Sequence, residues 1–360
     1  MLFRCISDEK YKLVNLEGGL IQMKVFTCTG FYGTGSSAIT DIFSDCEGVE
    51  CRGEYEIRIL HDPYGVSDLE YNLVENPNRH NTSNAIKKFK WNVDFLSGSW
   101  WNRRYEDYFN GHFKKLSYEY IDNICEFKYY GKWHFDIVER GYWFWFVNRS
   151  YNKLFSMIKK LMHRQNDVQH DFLPKDEMAY AGTSNEERFI KYTREYTSKL
   201  LKSISKSECD ILFVDQLVPP NNFERYSRYV DNLKIIVVDR DPRDLFILEK
   251  MVWKGSVIPT YDVDVFCKWF LWTRKMFQDS ELTENVIKVQ FEDLIYKYEE
   301  TIDYLLKFAD IDKEKYKKNK FDPNVSIKNT HLWVKYPELK QEIDYIENRL
   351  SEYCYSGYNE

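Results

Sequence analysis

Three short stretches of the chain are apolar at nearly every position. They are Lys24-Val25-Phe26-Thr27-Cys28, Asp210-Ile211-Leu212-Phe213-Val214-Asp215 and Lys234-Ile235-Ile236-Val237-Val238-Asp239. Runs this short, apolar without alternation, suit parallel strands buried on both faces. Val286-Ile287-Lys288-Val289 predicts one more strand. Gly53 to Leu60 alternates instead. Tyr55, Ile57 and Ile59 share one side, and Glu54, Glu56 and Arg58 share the other, which predicts a strand with one solvated face.

Helical periods fall between these runs. Ser36 to Phe43 has apolar residues at 38, 39, 42 and 43. Residues 187–206 mix polar and apolar positions without Pro or Gly. Ile302, Leu305, Leu306 and Ala309 mark another stripe, and Leu339, Ile343, Ile346 and Leu350 a last one. Strands alternating with helices predict an α/β fold, a parallel sheet flanked by helices on both faces, read as one unit over residues 1–360. Residues 65–205 predict a mainly helical insertion that contributes to an acceptor site. It is rich in aromatics, among them Trp100, Trp101, Trp133, Trp143 and Trp145. Most of these read as core, because burying a Phe-sized side chain contributes about 1.5–3 kcal/mol. The other reading is a platform for sugar rings built from Trp100, Trp101, Tyr142, Trp143 and Trp145.

Composition narrows the function. Of 360 residues, 51 are Lys or Arg and 57 are Asp or Glu, giving a net charge of −6. A dedicated nucleic-acid binder usually carries a basic excess, so nucleic acid is not the expected partner. No apolar run is long enough for a transmembrane helix, and residues 1–10 lack a signal-peptide core, so a cytoplasmic location is expected. The eight cysteines are scattered without a CxxC and read as free thiols. The seven histidines are isolated and HExxH is absent, so no metal site is expected.

The sharpest local feature follows the first strand: Thr29-Gly30-Phe31-Tyr32-Gly33-Thr34-Gly35-Ser36-Ser37. Its glycines let the backbone approach a ligand closely. The helix starting near Ser36 offers free N–H groups and the positive end of its dipole, and Ser36 and Ser37 add hydroxyls. Together these make an anion site for phosphate or sulfate, P-loop-like in the spacing Gly30-x4-Gly35, with Ser36 where a P-loop has lysine. The alternative is a plain strand–helix turn. A second anion element follows the third run, as Asp239-Arg240-Asp241-Pro242-Arg243-Asp244. Asp241 suits an N-cap and Pro242 the first helical turn. Arg240, at the carboxyl end of a buried strand, presents a guanidinium to phosphate. Arg243 pairs with Asp239 or Asp244 in the alternative reading.

Taken in order, these motifs resemble those of the sulfotransferases that use 3′-phosphoadenosine 5′-phosphosulfate (PAPS). Thr34-Gly35-Ser36-Ser37 resembles the loop that grips the 5′-phosphosulfate, and Arg240-Asp241-Pro242-Arg243-Asp244 the strand end whose first arginine grips the 3′-phosphate. Val289-Gln290-Phe291-Glu292-Asp293-Leu294 resembles the family's turn before a helix. Phe321 to Thr330, then Trp333, resembles the C-terminal loop over the nucleotide in bacterial and glycan-acting members. The resemblance covers residues 24–43 and 205–335 in pieces. It implies PAPS as cofactor, bis-phosphorylated adenosine (PAP) as product, no metal, and a carbohydrate hydroxyl as acceptor. The implied cofactor-binding residues are Gly30, Tyr32, Gly33, Thr34, Gly35, Ser36, Ser37 and Arg240, with Lys328 and Asn329 from the C-terminal loop.

Two departures stand out. The family's loop lysine is Gly33 here, and a serine eight residues after the phosphate arginine is Leu248. Arg52, Arg58, Lys87 and Lys88 are candidates to supply the missing charge. Sulfuryl transfer needs positioning, electrostatics and a base for the acceptor hydroxyl. Glycan-acting members often use a glutamate on the second strand, which points to Glu54 or Glu56; His61 is the rival base. Arg103, Arg104, Lys114 and Lys115 suggest an acidic acceptor, or else a solvated face. The alternatives are a divergent P-loop kinase or nucleotide hydrolase, and a non-catalytic nucleotide- or glycan-binding relative.

Overall fold

The structure, a computed structural model, describes residues 23–98, 104–133, 135–162, 176–205, 209–278 and 282–359. The first apolar run forms β1 (Lys24–Gly30), and the glycine loop leads into α1 (Ser36–Ser44). Then come β2 (Val49–Glu56) and α2 (Arg79–Ser97). The chain continues through α3 (Phe113–Ile124), β3 (Cys125–Lys132), α4 (Gly141–Leu161), β4 (Asp176–Gly182) and α5 (Glu186–Ile204). The C-terminal part adds β5 (Ile211–Asp215), β6 (Leu233–Asp239), α6 (Pro242–Ile247), α7 (Val263–Gln278), β7 (Val286–Gln290), α8 (Tyr298–Ala309) and α9 (Lys340–Arg349).

Five strands make one parallel sheet in the order β2-β5-β1-β6-β7. The apolar runs occupy its centre, as their lack of alternation requires. Because all five strands run the same way, Gly30, Glu56, Asp215, Asp239 and Gln290 gather at one end. Ligands in open α/β sheets bind at this end. Side chains alternate between two helical layers. Phe26, Cys28, Phe213, Ile236 and Val238 pack with Ile39, Ile42 and Phe43 of α1 and Ile302, Leu305 and Leu306 of α8. Val25, Leu212, Val214, Ile235 and Val237 pack with the insertion, through Phe89 of α2, Phe113 and Tyr120 of α3 and Phe189 of α5. A third cluster joins α6, α7 and α9 through Phe246, Phe266, Phe270 and Ile346.

The architecture is the α/β, P-loop-like sheet that the pattern predicts, with three differences in detail. The second strand lies earlier than the expected 53–60. Val49 to Arg52 pair with β5, the register shifts between Arg52 and Glu56, and Ile57, Ile59 and Leu60 are buried beyond the strand end. The 65–205 region is mainly helical but also holds an antiparallel pair, β3 and β4, formed by segments far apart in sequence. The expectation of core for the aromatics fails on α4. Trp133 is buried, with Lys87 Nζ 4.0 Å from its ring centroid, but Tyr142 and Trp143 are 74% and 78% exposed. Trp100 and Trp101 lie outside the described residues.

Candidate active site

The glycine loop is held in a shape that side chains would spoil. A Cβ at Gly30 would sit 2.1 Å from Thr34 Oγ1 and 2.9 Å from the Val238 carbonyl. Tyr32, Gly33 and Gly35 all have left-handed backbone, with φ of 73°, 69° and 102°. Successive residues of this kind turn their N–H groups into a common concavity, an arrangement suited to anions. Gly35 occupies the N-cap position of α1, and no side chain caps that helix. Its first N–H groups are therefore left for a ligand. Phe291, at the end of β7, packs against Gly35, and the Trp253 ring packs against Gly33.

That packing explains the missing loop lysine. A Cβ at Gly33 would lie 2.7 Å from Trp253, on a backbone that L-residues rarely adopt. Gly33→Ala is expected to destabilise the loop by about 1–2 kcal/mol through its backbone alone. It should also displace Trp253, seen as a change in tryptophan emission alongside a lower midpoint in urea. Unchanged values for both would show that the loop tolerates a side chain there.

Arg240 leaves the end of β6 and reaches across the site. One terminal nitrogen donates to the Gly33 carbonyl (3.4 Å) and the other to the Asn329 carbonyl. Its guanidinium carbon sits 4.4 Å from the Phe291 ring centroid, and the side chain is almost fully buried. Its Nε has no partner. Arg240 therefore joins two elements that the sequence put forward separately, the glycine loop and Asn329. Lys328 is exposed and is not brought to Arg240 by any contact of its side chain; Lys335 donates to its carbonyl (3.0 Å).

The rest of the motif is an anchor. Asp241 caps α6 by accepting from Arg243 N–H (2.8 Å), as its position before Pro242 predicts. Arg243 pairs with Asp241 (2.7 Å) and Glu347 (3.2 Å), not with Asp239 or Asp244. Asp239 is taken by Arg274 (2.7 Å) and Lys288 (2.9 Å). Asp244 accepts from His331 N–H (3.0 Å), Leu332 N–H (2.6 Å) and the Tyr358 hydroxyl (2.7 Å), which ties the C-terminal segment over the site. Glu292 accepts from Asp241 N–H (3.0 Å) and leaves Oε2 unpartnered. Burial, then the Asp241 charge, push its carboxyl up to about 8.

Across the glycine loop, β5 ends in Asp215, between β1 and β2. Its Oδ1 is buried without a partner, and Ser36, at the start of α1, favours its charged form only slightly. Burial first, and the neighbouring Glu56 charge second, push the Asp215 carboxyl up to about 7. Glu56 is its cross-strand partner and also pairs with Arg58 (3.3 Å), which pairs in turn with Asp62 (2.9 Å). His61 Nε2 lies 3.0 Å from the Gln216 carbonyl, so the proton of a neutral ring sits on Nε2. Burial holds that imidazole below its ordinary value. Glu54 is further out, paired with Arg52 at 3.2 Å. The strand that runs to Asp215 was legible in the sequence. The signal for the residue itself was an aspartate closing a buried parallel strand at its carboxyl end.

The other candidate cations are engaged elsewhere. Arg52 is buried against Tyr108 and donates to the Ile204 carbonyl. Lys87 pairs with Glu177 (2.8 Å), and Lys88 is 3.8 Å from Glu139. Lys114 pairs with Asp94 (2.8 Å), and Lys115 is 3.9 Å from Glu119. Arg103 lies outside the described residues, as does the side chain of Arg104. Of these cations, among the described residues, Arg58 alone pairs with Glu56 at the strand ends. Among the described residues, no cluster of His, Cys, Asp and Glu could hold a metal ion, and no helix is long and apolar enough to cross a membrane.

No family model and no curated protein matches the chain. Among solved structures it is similar to the sulfotransferase domain from the curacin biosynthetic pathway, at 15% identity over 91% of this chain and 97% of that one, with a TM-score of 0.35. It is similar to sulfotransferase STF9 from Mycobacterium avium at 9% identity over 91% of this chain and 77% of that one, TM-score 0.33. A third likeness is to retinol dehydratase in complex with androsterone and the inactive cofactor PAP, at 13% identity over 90% and 70%, TM-score 0.27. The side chains described above, and not these distant likenesses, carry the reading that follows.

Proposed function

We propose that the chain is a PAPS-dependent sulfotransferase that moves a sulfuryl group to a carbohydrate hydroxyl. The observation that carries this reading is the buried Arg240, which links the left-handed glycine loop to Asn329 while its Nε stays unpartnered. The site fits a bis-phosphorylated adenosine cofactor. The crowded backbone at Gly30, Gly33 and Gly35 presents N–H groups, with the Ser36 and Ser37 hydroxyls, to a phosphosulfate. Arg240, with Asn329 beside it, supplies the fixed cation for the 3′-phosphate. PAPS supplies the sulfuryl group and a phosphate leaving group.

The chain's own residues then position and deprotonate the acceptor. The acceptor oxygen bonds to sulfur, the bond from sulfur to the bridging phosphate oxygen breaks, and the hydroxyl proton passes to a base. Glu54, Glu56 and His61 are the bases that the sequence suggests. We place the proton on Asp215, with Glu56 as the neighbouring charge that keeps its affinity for protons high. A base with a pKa near the working pH is the most effective one. Glu54 is held by Arg52, and the His61 Nε2 proton is committed to the Gln216 carbonyl.

The test is a thermal-shift titration with PAP against ATP plus Mg²⁺. A ligand present at 100 times its Kd stabilises by about 2.7 kcal/mol, a shift of about 2–4 °C for a chain of this size class. PAP alone is expected to give that shift. A shift only with ATP and Mg²⁺ would establish the kinase reading instead, and no shift with either would leave the loop a structural turn.

A further inference from the structure

Helix α4 turns most of its large apolar side chains outward. Its one fully buried residue is Asn148, bonded by Asn152 (3.2 Å) on the same inward face. The outward face is apolar. Trp143, Val147, Leu154 and Leu161 are 78%, 53%, 58% and 81% exposed, at i, i+4, i+11 and i+18. On a helix these four line up in one stripe. Phe146, Met157 and Ile158 flank that stripe and are exposed too. Arg149, Lys153 and Lys160, spaced i, i+4 and i+11, form a row along one border of the stripe, all exposed. No aspartate or glutamate occurs between Gly141 and Leu161, in a chain whose net charge is −6.

We infer that α4 docks the protein onto an anionic lipid surface. A stripe of Trp, Leu, Met and Ile bordered by cations is what an in-plane interfacial helix requires. The apolar side chains enter the acyl boundary while lysine and arginine reach anionic headgroups. Trp143 and Tyr142 lie at one end, and such rings favour the interface. The helix lies on the bilayer and does not cross it, since no described helix is apolar enough to span. Charge disfavours an antiparallel second copy as the occupant. Two copies packed face to face and antiparallel would set two rows of cations beside each other with no acidic residue on either helix to offset them. This inference stands whether or not the chain transfers sulfuryl groups.

The experiment is co-sedimentation of the full chain with phosphatidylcholine vesicles, with and without about 30% phosphatidylglycerol, at low salt. Each cation near an anionic surface strengthens binding roughly fivefold, so the anionic vesicles should bind the chain at least tenfold more tightly. Leu154→Glu with Leu161→Glu should abolish sedimentation while leaving the melting temperature unchanged, because both side chains are exposed. Lys153→Gln with Lys160→Gln should remove most of the preference for anionic vesicles and so tests the charge row without touching the stripe. Sedimentation with neither vesicle would overturn the inference, as would equal binding by both double variants. A dimer in light scattering that the glutamate variant dissociates would assign the face to a second copy and overturn it as well.

Discussion

Asp215→Asn is expected to lower turnover by roughly 100- to 10,000-fold, the usual worth of a general base. The same substitution should raise stability at pH 8. Burial and Glu56 lift the folded carboxyl to about 7 from an ordinary value of 3.8. A raised pKa means that the folded state binds the proton more tightly than the unfolded one. The resulting stabilisation is complete below about pH 4 and is lost as pH rises through about 7. Above that, a buried carboxylate beside another carboxylate costs a few kcal/mol, which a neutral amide does not. For the native chain, the rate of PAP release with a hydroxyl acceptor should climb as pH passes through about 7 and level off above it. Asn at 215 should flatten that limb. A variant with full rate and an unchanged pH profile would remove Asp215 from the chemistry, and Glu56→Gln would then become the decisive substitution. Reduced stability at pH 8 would mean instead that the carboxylate serves the fold.

Arg240→Ala is the second large effect. The guanidinium feels the Asp244 and Glu292 carboxyl groups, and it bonds two carbonyls on separate loops. Its loss leaves those two carbonyls without their charged donor, a destabilisation of about 3–5 kcal/mol at about 1.5–3 kcal/mol for each hydrogen bond to a charged group. PAP affinity should fall about 100-fold or more. Arg240→Lys separates the two effects, since it keeps the charge but has no planar fork to bond both carbonyls at once. It should retain most of the stability and still bind PAP weakly. Calorimetric titration with PAP and urea unfolding at pH 7 give both numbers. Native affinity for PAP in Arg240→Lys would show that Arg240 acts as a latch only.

Some parts of this site could be read directly from the chain. The glycine loop and the Arg240 motif are contiguous, and each follows a buried strand, so their placement needs only local rules. The cap at Asp241 and the helix from Pro242 are legible for the same reason. Arg243 shows the limit of such rules. Its charge was visible, but Glu347 comes from α9, and only packing brings it into reach. Gly33 is similar. A glycine in place of lysine looks like a loss until Trp253 is seen lying against it.

Continuous apolar runs, the glycine spacing and the order of the motifs determine by themselves an α/β sheet with a glycine loop after its first strand. Those are properties of neighbours in sequence, where backbone sterics and side-chain periodicity act over a few residues. Strand order is different. Only the folded chain sets β5 between β1 and β2 and shifts the register after Arg52, so that Glu56 stands beside Asp215. The pKa of that aspartate comes from desolvation and a second charge, neither of which its own segment contains. The outward face of α4 follows the same logic. Its amphipathic period is written in the sequence, but which side meets the protein was decided by the packing that buries Asn148 and leaves Trp143 in solvent.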